Sequence, residues 1–441
     1  MIKQVYPLDD MELNGTVRAD MTMAGHLSYI EKEQYDRFSA SGTITLSDMK
    51  LKMKEMPDVE IKKSLFTFTP KYLQLSETTV AIGKNDLTAD CRFENYMGYA
   101  LKGGTLKGVL NVRSNHLNLN DFMTATTDST AQTSQASSTE ETASMIEVPQ
   151  NIDFQMDAGL KEVLFDKMTF TNMNGKLIVK DGKVDMTNLS MNTMGGSVVM
   201  NGYYSTADPK KPEMNAGFRM ENIGFAQAYK ALDMVQQMAP IFENLKGNFS
   251  GNMHIRTLLD NQMSPVMDTM QGNGSLSTQD LSLSGVKVID QIAEAVKKPE
   301  LKEMKVKDMT LDFTIKDGRV STKPFDIKLG DYVMNLSGST GLDQTIDYSG
   351  KIKLPASAGD IAKLTTLDLK IGGTFSSPKV SLDTKSMTNQ AVEAVTDKAI
   401  SEIGKKLGLD SATTANKDSV KEKVKEKAVE KALDFLKKKI K

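Results

Sequence analysis

Apolar and polar residues alternate over most of the first 380 or so positions. The alternating runs are short and end on turn dipeptides, the period-two signature of strands with one buried face. Residues 175–184 (GKLIVKDGKV) and 311–320 (LDFTIKDGRV) are two such runs, each carrying an Asp-Gly pair of the kind that closes a two-residue hairpin. Asp181-Gly182 and Asp317-Gly318 lie 136 positions apart, and the same offset carries Gly202 onto Gly338. Each copy reads as strand, hairpin, strand, turn, strand. The apolar faces Leu177/Val179 and Leu189/Met191 of one copy answer Phe313/Ile315 and Phe325/Ile327 of the other.

A longer self-match has an offset of 232: Leu13, Gly15, Met21, Leu27, Asp36, Gly42, Asp48 and Leu51 fall on Leu245, Gly247, Met253, Leu259, Asp268, Gly274, Asp280 and Leu283. Further on, Phe66/Phe68, Val80, Ile82 and Gly83 fall on Phe313/Ile315, Ile327, Leu329 and Gly330 at an offset of 247. The difference is an insertion at residues 286–304. Within it Val288, Ile292, Ala295 and Val296 recur at helical spacing until Pro299 stops the run. Helical pattern also occurs around Phe225 to Leu245.

The pattern therefore predicts a mainly β chain of repeated antiparallel meanders forming an elongated curved sheet or groove, with a short inserted amphipathic helix and a helical tail. Residues 1–123 form the first repeat unit, 124–147 a Thr/Ser-rich disordered loop, 148–244 a partial middle repeat with a helix, 245–385 the second unit and 386–441 the tail. The tail changes period, with stripes Val392, Val395, Ala399, Ile403, Leu407 and Val420, Val424, Ala428, Phe435, Ile440. Its last 25 residues carry ten Lys against five Asp/Glu, in a chain whose net charge is −2. Two readings stand for this basic amphipathic segment: a helix solvated or packed on protein, or a membrane-surface helix using Lys425, Lys431, Phe435, Lys437, Lys438 and Lys439.

Composition narrows the chemistry. With 39% apolar and 25% charged residues the chain is neither disordered nor a polyelectrolyte, and aromatics at 6% are too dispersed for nucleic-acid stacking platforms. One cysteine, Cys91, excludes an internal disulfide framework. His26, His116 and His254 have no second ligand at metal spacing, and Asp181 to Asp185 has too few oxygen donors for calcium. No phosphate loop or nucleophile motif occurs, and Gly272-Asn-Gly274 reads as turn chemistry because it matches Ser41-Gly42 of the other copy. No enzyme, cofactor or metal is expected. The amino terminus shows no signal peptide, no window has the apolar length of a membrane helix, and the repeat begins with almost no lead-in, as in a piece cut from a longer chain.

A meander has one apolar face that must be covered by a sheet, by helices or by something other than protein. Phe66, Phe68, Val80, Ile82, Leu177, Val179, Leu189, Met191, Phe313, Ile315, Phe325 and Ile327 line either a groove or a closed core. With 29 Met in the chain, this apolar surface is a deformable one.

The order of motifs over residues 245–382 resembles the carboxy-terminal region of the AsmA family. Leu245-x-Gly247 with an alternating strand comes first, then Gly272-x-Gly274-x-Leu276 and a strand ending in Leu-Ser-Gly-Val at 283–286. After the helix come the Asp317-Gly318 strand, Leu-Ser-Gly at 336–338 and Ile-Asp-Tyr-Ser-Gly at 346–350, closed by a Pro378 hairpin. The resemblance implies a periplasmic envelope protein associated with the inner membrane, which carries phospholipid towards the outer membrane and supports outer-membrane assembly without catalysis. Its partners would be phospholipid acyl chains, the membrane surface and envelope proteins. The alternative is a structural scaffold with a closed core, acting through protein partners.

Overall fold

Alternation becomes strand almost everywhere it occurs. The computed structural model describes residues 11–26, 28–29, 39–53, 56–123, 146–295, 299–303, 305–353 and 366–383. The strands are β1 (Met11–Ala24), β2 (Ser39–Met53), β3 (Met56–Phe68), β4 (Tyr72–Ile82), β5 (Asn85–Glu94), β6 (Leu106–Ser114), β7 (Leu117–Asn118), β8 (Ile152–Phe165), β9 (Met168–Lys180), β10 (Lys183–Thr193), β11 (Gly196–Ser205), β12 (Glu213–Gly224), β13 (Leu245–Leu258), β14 (Gln271–Leu283), β15 (Thr310–Lys316), β16 (Arg319–Leu329), β17 (Tyr332–Gly341), β18 (Ile346–Lys353), β19 (Thr366–Gly373) and β20 (Pro378–Asp383). The chain divides into two compact units. The first comprises Met1–Ala231, Phe249–Gly274 and Ile315–Gly318; the second comprises Leu232–Asn248, Ser275–Thr314 and Arg319–Lys441.

In the first unit β1 to β6 run as an antiparallel meander, each pairing with the next. A second meander runs from β8 to β12. Between them the expected antiparallel pattern breaks, because β6 and β8 pair in parallel from Leu106↔Ile152 to Ser114↔Leu160. A parallel pair needs a long crossover, and the Thr/Ser-rich segment supplies that length. Its residues 124–145 lie outside the described ones, so the disordered loop expected there is not described; the ladder continues across its ends.

The turn that leaves β6, next to the parallel joint, is fastened to the start of β5 by a polar network. Asp86 Oδ1 accepts hydrogen bonds from the Asn115 and His116 backbone N–H groups at 3.0 and 2.7 Å, and Asp86 Oδ2 accepts from Asn115 Nδ2 at 2.8 Å. Asn85 donates to Asp121 Oδ2 and accepts from the Asn118 N–H, and Asn118 donates to Asp121 Oδ1. Burial opposes the charge on Asp86, but the hydrogen bonds from His116, Asn115 and Ser114 outweigh it and hold the carboxyl below its ordinary value. A depressed carboxylate contributes stability that is complete above its unfolded pKa of about 3.9 and is lost as pH falls through the folded value. Asp86→Ala is expected to cost about 1–3 kcal/mol in urea unfolding at pH 7, since two backbone N–H groups lose their acceptor. The gap to the parent should narrow in acid below the ordinary Asp pKa; a gap independent of pH would count against the network.

One irregularity recurs at the same place in all three repeats. The ladder shifts between Leu75 and Thr78, between Met186 and Leu189, and between Thr322 and Phe325. These are β-bulges, each adding one residue that bends the strand without turning its apolar side outward. In the first two copies the extra residue is left-handed, Glu77 at φ 53° and Asn188 at φ 49°. Its N–H is satisfied from the neighbouring strand, by Asp90 Oδ1 at 3.0 Å and Asn201 Oδ1 at 2.8 Å. The third copy has Pro324 there, which has no N–H to satisfy, and Ser337 faces it in place of the Asx residue. A second repeated device lies at Gly15 (φ 143°) and Gly247 (φ 105°), opposite left-handed Asp48 and Asp280. A Cβ on Gly15 would lie 2.6 Å from Met49 Cα, and one on Gly247 2.6 Å from the Asp280 carbonyl oxygen, so only glycine fits. Asp181-Gly182 and Asp317-Gly318 are left-handed at both residues, as a type I′ turn demands. Gly272, Gly274 and Gly42 correct the turn reading: they sit inside β14 and β2, where Gly42 lets β1 approach closely.

In the second unit β16 to β20 form an antiparallel meander. Among the described residues short helices connect strands: α1 (Tyr96–Lys102), α2 (Asn120–Met123), α3 (Phe225–Ala231), α4 (Asp233–Met238) and α5 (Lys287–Ala295). The last is the inserted helix, followed by a single 3₁₀ turn at Pro299–Glu303. Its buried stripe is Ile289, Ile292 and Ala293, one residue round from the predicted Val288, which is half-buried. Gln291 on α5 donates to the Pro378 carbonyl at 3.0 Å and accepts from the Val380 N–H at 3.2 Å, capping backbone groups of β20. The core of this unit is closed to solvent: Leu329, Met334, Ile352 and Leu369 are each 1–2% exposed.

Candidate functional site

Directly paired residues in a ladder share a face, so the register shows which side chains line up across strands. In the first unit one row runs through eleven strands: Ala19, Ile44, Phe66, Leu75, Cys91, Leu110, Met156, Leu177, Met186, Gly202 and Ala216. Beside it runs a second: Met21, Gly42, Phe68, Leu73, Phe93, Gly108, Phe154, Val179, Val184, Tyr204 and Met214. Neither row contains a charge. Phe93 and Phe154 close over Gly108, their ring centroids 5.6 Å apart. Val80 and Ile82 join the same face beyond the bulge, pairing with Leu87 and Asn85.

The accessibility of this face sets it apart from a core. Ile44, Phe66, Phe68, Leu73, Leu75, Leu110, Met156, Leu177 and Val179 are all half-buried, and Cys91 and Ala216 alone in the first row are buried. These strands make their extensive contacts with ladder neighbours, while α1 packs on β6 and α3 on β12. A single sheet layer whose apolar side chains shield only one another leaves such a row partly wet. The opposite face is mainly polar, with Val109 and Ile178 exposed on it, and carries ion pairs, Lys50–Glu60 at 2.8 Å and Lys180–Asp153 at 3.1 Å. The hydrogen bond and charge of Glu60 raise Lys50, and Lys50 lowers Glu60 by the same means.

Polar groups on the apolar side are few and satisfied. Ser64 and Thr78, both buried beside the first bulge, hydrogen-bond each other at 2.7 Å. Tyr204 donates to the Ile146 carbonyl at 2.6 Å; burial, with the Glu147 charge added, pushes its phenol up to about 12, so it stays neutral. Burial, with Asp90 second, raises the Cys91 thiol and keeps it protonated. Among the described residues no group of three His, Cys, Asp or Glu could hold a metal ion.

The structure brings Phe66, Phe68, Val80, Ile82, Leu177 and Val179 onto this one open face. Leu189 and Met191 continue it past the second bulge but are 7% exposed, packed where Met200 and Val198 pair with them. The residues from the other copy differ. Phe313 is half-buried and Ile315 buried, and Phe325 and Ile327, half-buried, pair with buried Leu336 and Met334 beneath the covered face of the second unit. Residues Ile44, Leu75, Phe93, Leu110, Phe154 and Met156 belong to the face and escaped the sequence reading, because alternation identifies an apolar side but not which strands align. Lys425, Lys431, Phe435, Lys437, Lys438 and Lys439, with the whole tail, lie outside the described residues. No helix among the described residues is long and apolar enough to cross a membrane.

No family model and no curated protein matches this chain. Among solved structures, mutants of the Rh. blastica porin align with it. One is 9% identical with a TM-score of 0.14, covering 84% of this chain and 97% of the porin. A second porin mutant gives 10% and 0.15 over the same shares. Scores of this size are too low for a shared fold to be inferred.

Proposed function

We propose that the chain is a non-enzymatic lipid-binding protein of the bacterial envelope, in which the apolar face of β1 to β12 holds phospholipid acyl chains. The resemblance to the AsmA family supports a location in the periplasm at the inner membrane, and a role in moving phospholipid towards the outer membrane and supporting outer-membrane assembly. One observation carries the reading: uncharged apolar rows cross eleven strands and stay half-open, with no second layer packed extensively on them among the described residues. Acyl chains gain about 0.8 kcal/mol per buried CH₂ on such a surface and need no directional partner. Met156, Met186 and Met214 make it adaptable to chains of different shape.

The scaffold reading rests on a different observation, the second unit, where α5 and the 3₁₀ turn help to close the apolar side with protein. The two are separated by extracting the purified, membrane-free chain with organic solvent and analysing the extract by mass spectrometry. Phospholipid in stoichiometric amount is the expected result. A folded protein free of lipid at this step would overturn the proposal and leave the scaffold.

A further inference from the structure

Among the described residues, β1 of the first unit lacks the neighbour that the repeat provides elsewhere. Among the described residues β1 pairs with β2 alone. Its apolar side is the most open part of the face: Val17 is 43% exposed, Met21 47% and Met23 61%. The repeat supplies an internal control. At the offset of 232, Val17 corresponds to Phe249 and Met23 to Ile255 on β13, and these are 6% and 2% exposed.

Two things differ: the Phe225 ring of α3 lies against Phe249, centroids 5.0 Å apart, and β13 has an outer strand. β12 lies antiparallel beside β13: the Asn222 N–H donates to Ser250 Oγ at 2.9 Å, and Arg256 Nη2 donates to Glu213 Oε2 at 3.2 Å. Just beyond both strands, the Leu259 N–H donates to the Pro212 carbonyl at 2.8 Å. β12 turns Met214, Ala216, Phe218 and Met220 to the apolar side. The complement that β1 calls for is therefore an antiparallel strand with apolar residues at alternate positions.

β1 meets that description itself. Its central residues Val17, Arg18, Ala19, Asp20 and Met21 are self-complementary about Ala19. In an antiparallel pair of two β1 strands with Ala19 facing Ala19, Arg18 of each copy faces Asp20 of the other, and Val17 faces Met21. Arg18 and Asp20 are exposed on the polar side, where such pairs form without a desolvation penalty. We propose that β1 is the interface of a two-fold symmetric dimer, a second copy of the chain adding its β1 to the open edge and doubling the apolar face. The arrangement is isologous and closes on itself, so it satisfies the edge without propagating a fibre. It is independent of what the face carries.

The 441-residue chain should sediment as a dimer. Arg18→Asp sets a second carboxylate against Asp20 on each side of the two-fold axis and should weaken dimerisation about tenfold or more. Adding Asp20→Arg restores complementarity with the charges exchanged and should restore the dimer. In a Cys91→Ser background, Ala19→Cys places two thiols on directly opposed residues, about 4.5–5.5 Å apart at Cα, within disulfide reach. It should give a covalent dimer on mild oxidation, whereas Met23→Cys, eight residues out of register with its own copy, should not. Circular dichroism confirms that each variant keeps its strands. A wild-type monomer, a dimer indifferent to Arg18→Asp, or cross-linking through Met23→Cys as readily as through Ala19→Cys would each overturn the proposal.

Discussion

Aspartate placed together at Phe66, Leu75 and Leu177 is expected to reduce copurifying phospholipid at least about tenfold while leaving the sheet folded. The three residues share one row and are half-buried, so a carboxylate there can reach water with a modest shift of its side chain. The cost to folding should be about 1–2 kcal/mol each, in the ordinary range for partly exposed sites. The cost to an acyl chain is larger in proportion, since every charge in the row must be desolvated when a hydrocarbon lies over it. Lipid content by mass spectrometry and stability by urea unfolding, on the same preparation, give the two readings side by side. Undiminished lipid in a folded triple variant would mean that lipid sits elsewhere.

Ile352→Asp should do the opposite. Ile352 is 1% exposed and lies in the ladder between Met334 and Leu367, which are themselves buried. No cation is paired beside it in the ladder, and the change leaves either a buried charge or a neutral acid without a hydrogen-bond partner. The loss should exceed about 4 kcal/mol, the range reserved for unpaired charges and collapsed cores. The second unit should then be cut readily by protease in β16 to β20, where the parent resists. Lys351→Asp, on the exposed side of the same strand, is the matched control; it faces Asp368 across the ladder, so it should cost about 1 kcal/mol or less, as an exposed like-charge pair does. Comparable stability in Ile352→Asp and Lys351→Asp would show that this face is open as well.

The strands and the Asp-Gly turns were legible because both leave local marks, alternation in one case and a residue pair that tolerates left-handed backbone in the other. The inserted helix was legible from its spacing, although its buried stripe lies one residue away from the predicted one. That stripe is chosen by what the helix packs against, which no window of sequence contains. The bulges illustrate a different limit. Glu77, Asn188 and Pro324 occupy one position in three repeats and share no residue type, because the constraint is an extra residue whose N–H is capped from the next strand or absent. The parallel step from β6 to β8 was also invisible, since strand direction depends on where the chain returns. So was the contrast between an open first face and a covered second one: Ile82 and Leu329 occupy matching positions of the repeat, and tertiary packing alone makes one half-buried and the other buried.

The parallel step has a bearing on covalent continuity. Nine ladder pairs between β6 and β8 bind the first meander to the second, and β7 adds Leu117↔Val163 and Asn118↔Leu164. The peptide bonds of residues 124–145 are therefore not the only tie between the two halves of this unit. A chain severed within that segment retains a complete set of partners on either side of the cut, as a zip does when its tape is slit beyond the teeth. The two pieces should copurify as a nicked complex, and each alone would expose an unsatisfied edge, Leu106–Ser114 on one and Ile152–Phe165 on the other. New termini or an inserted reporter domain placed in this segment would leave every described ladder intact.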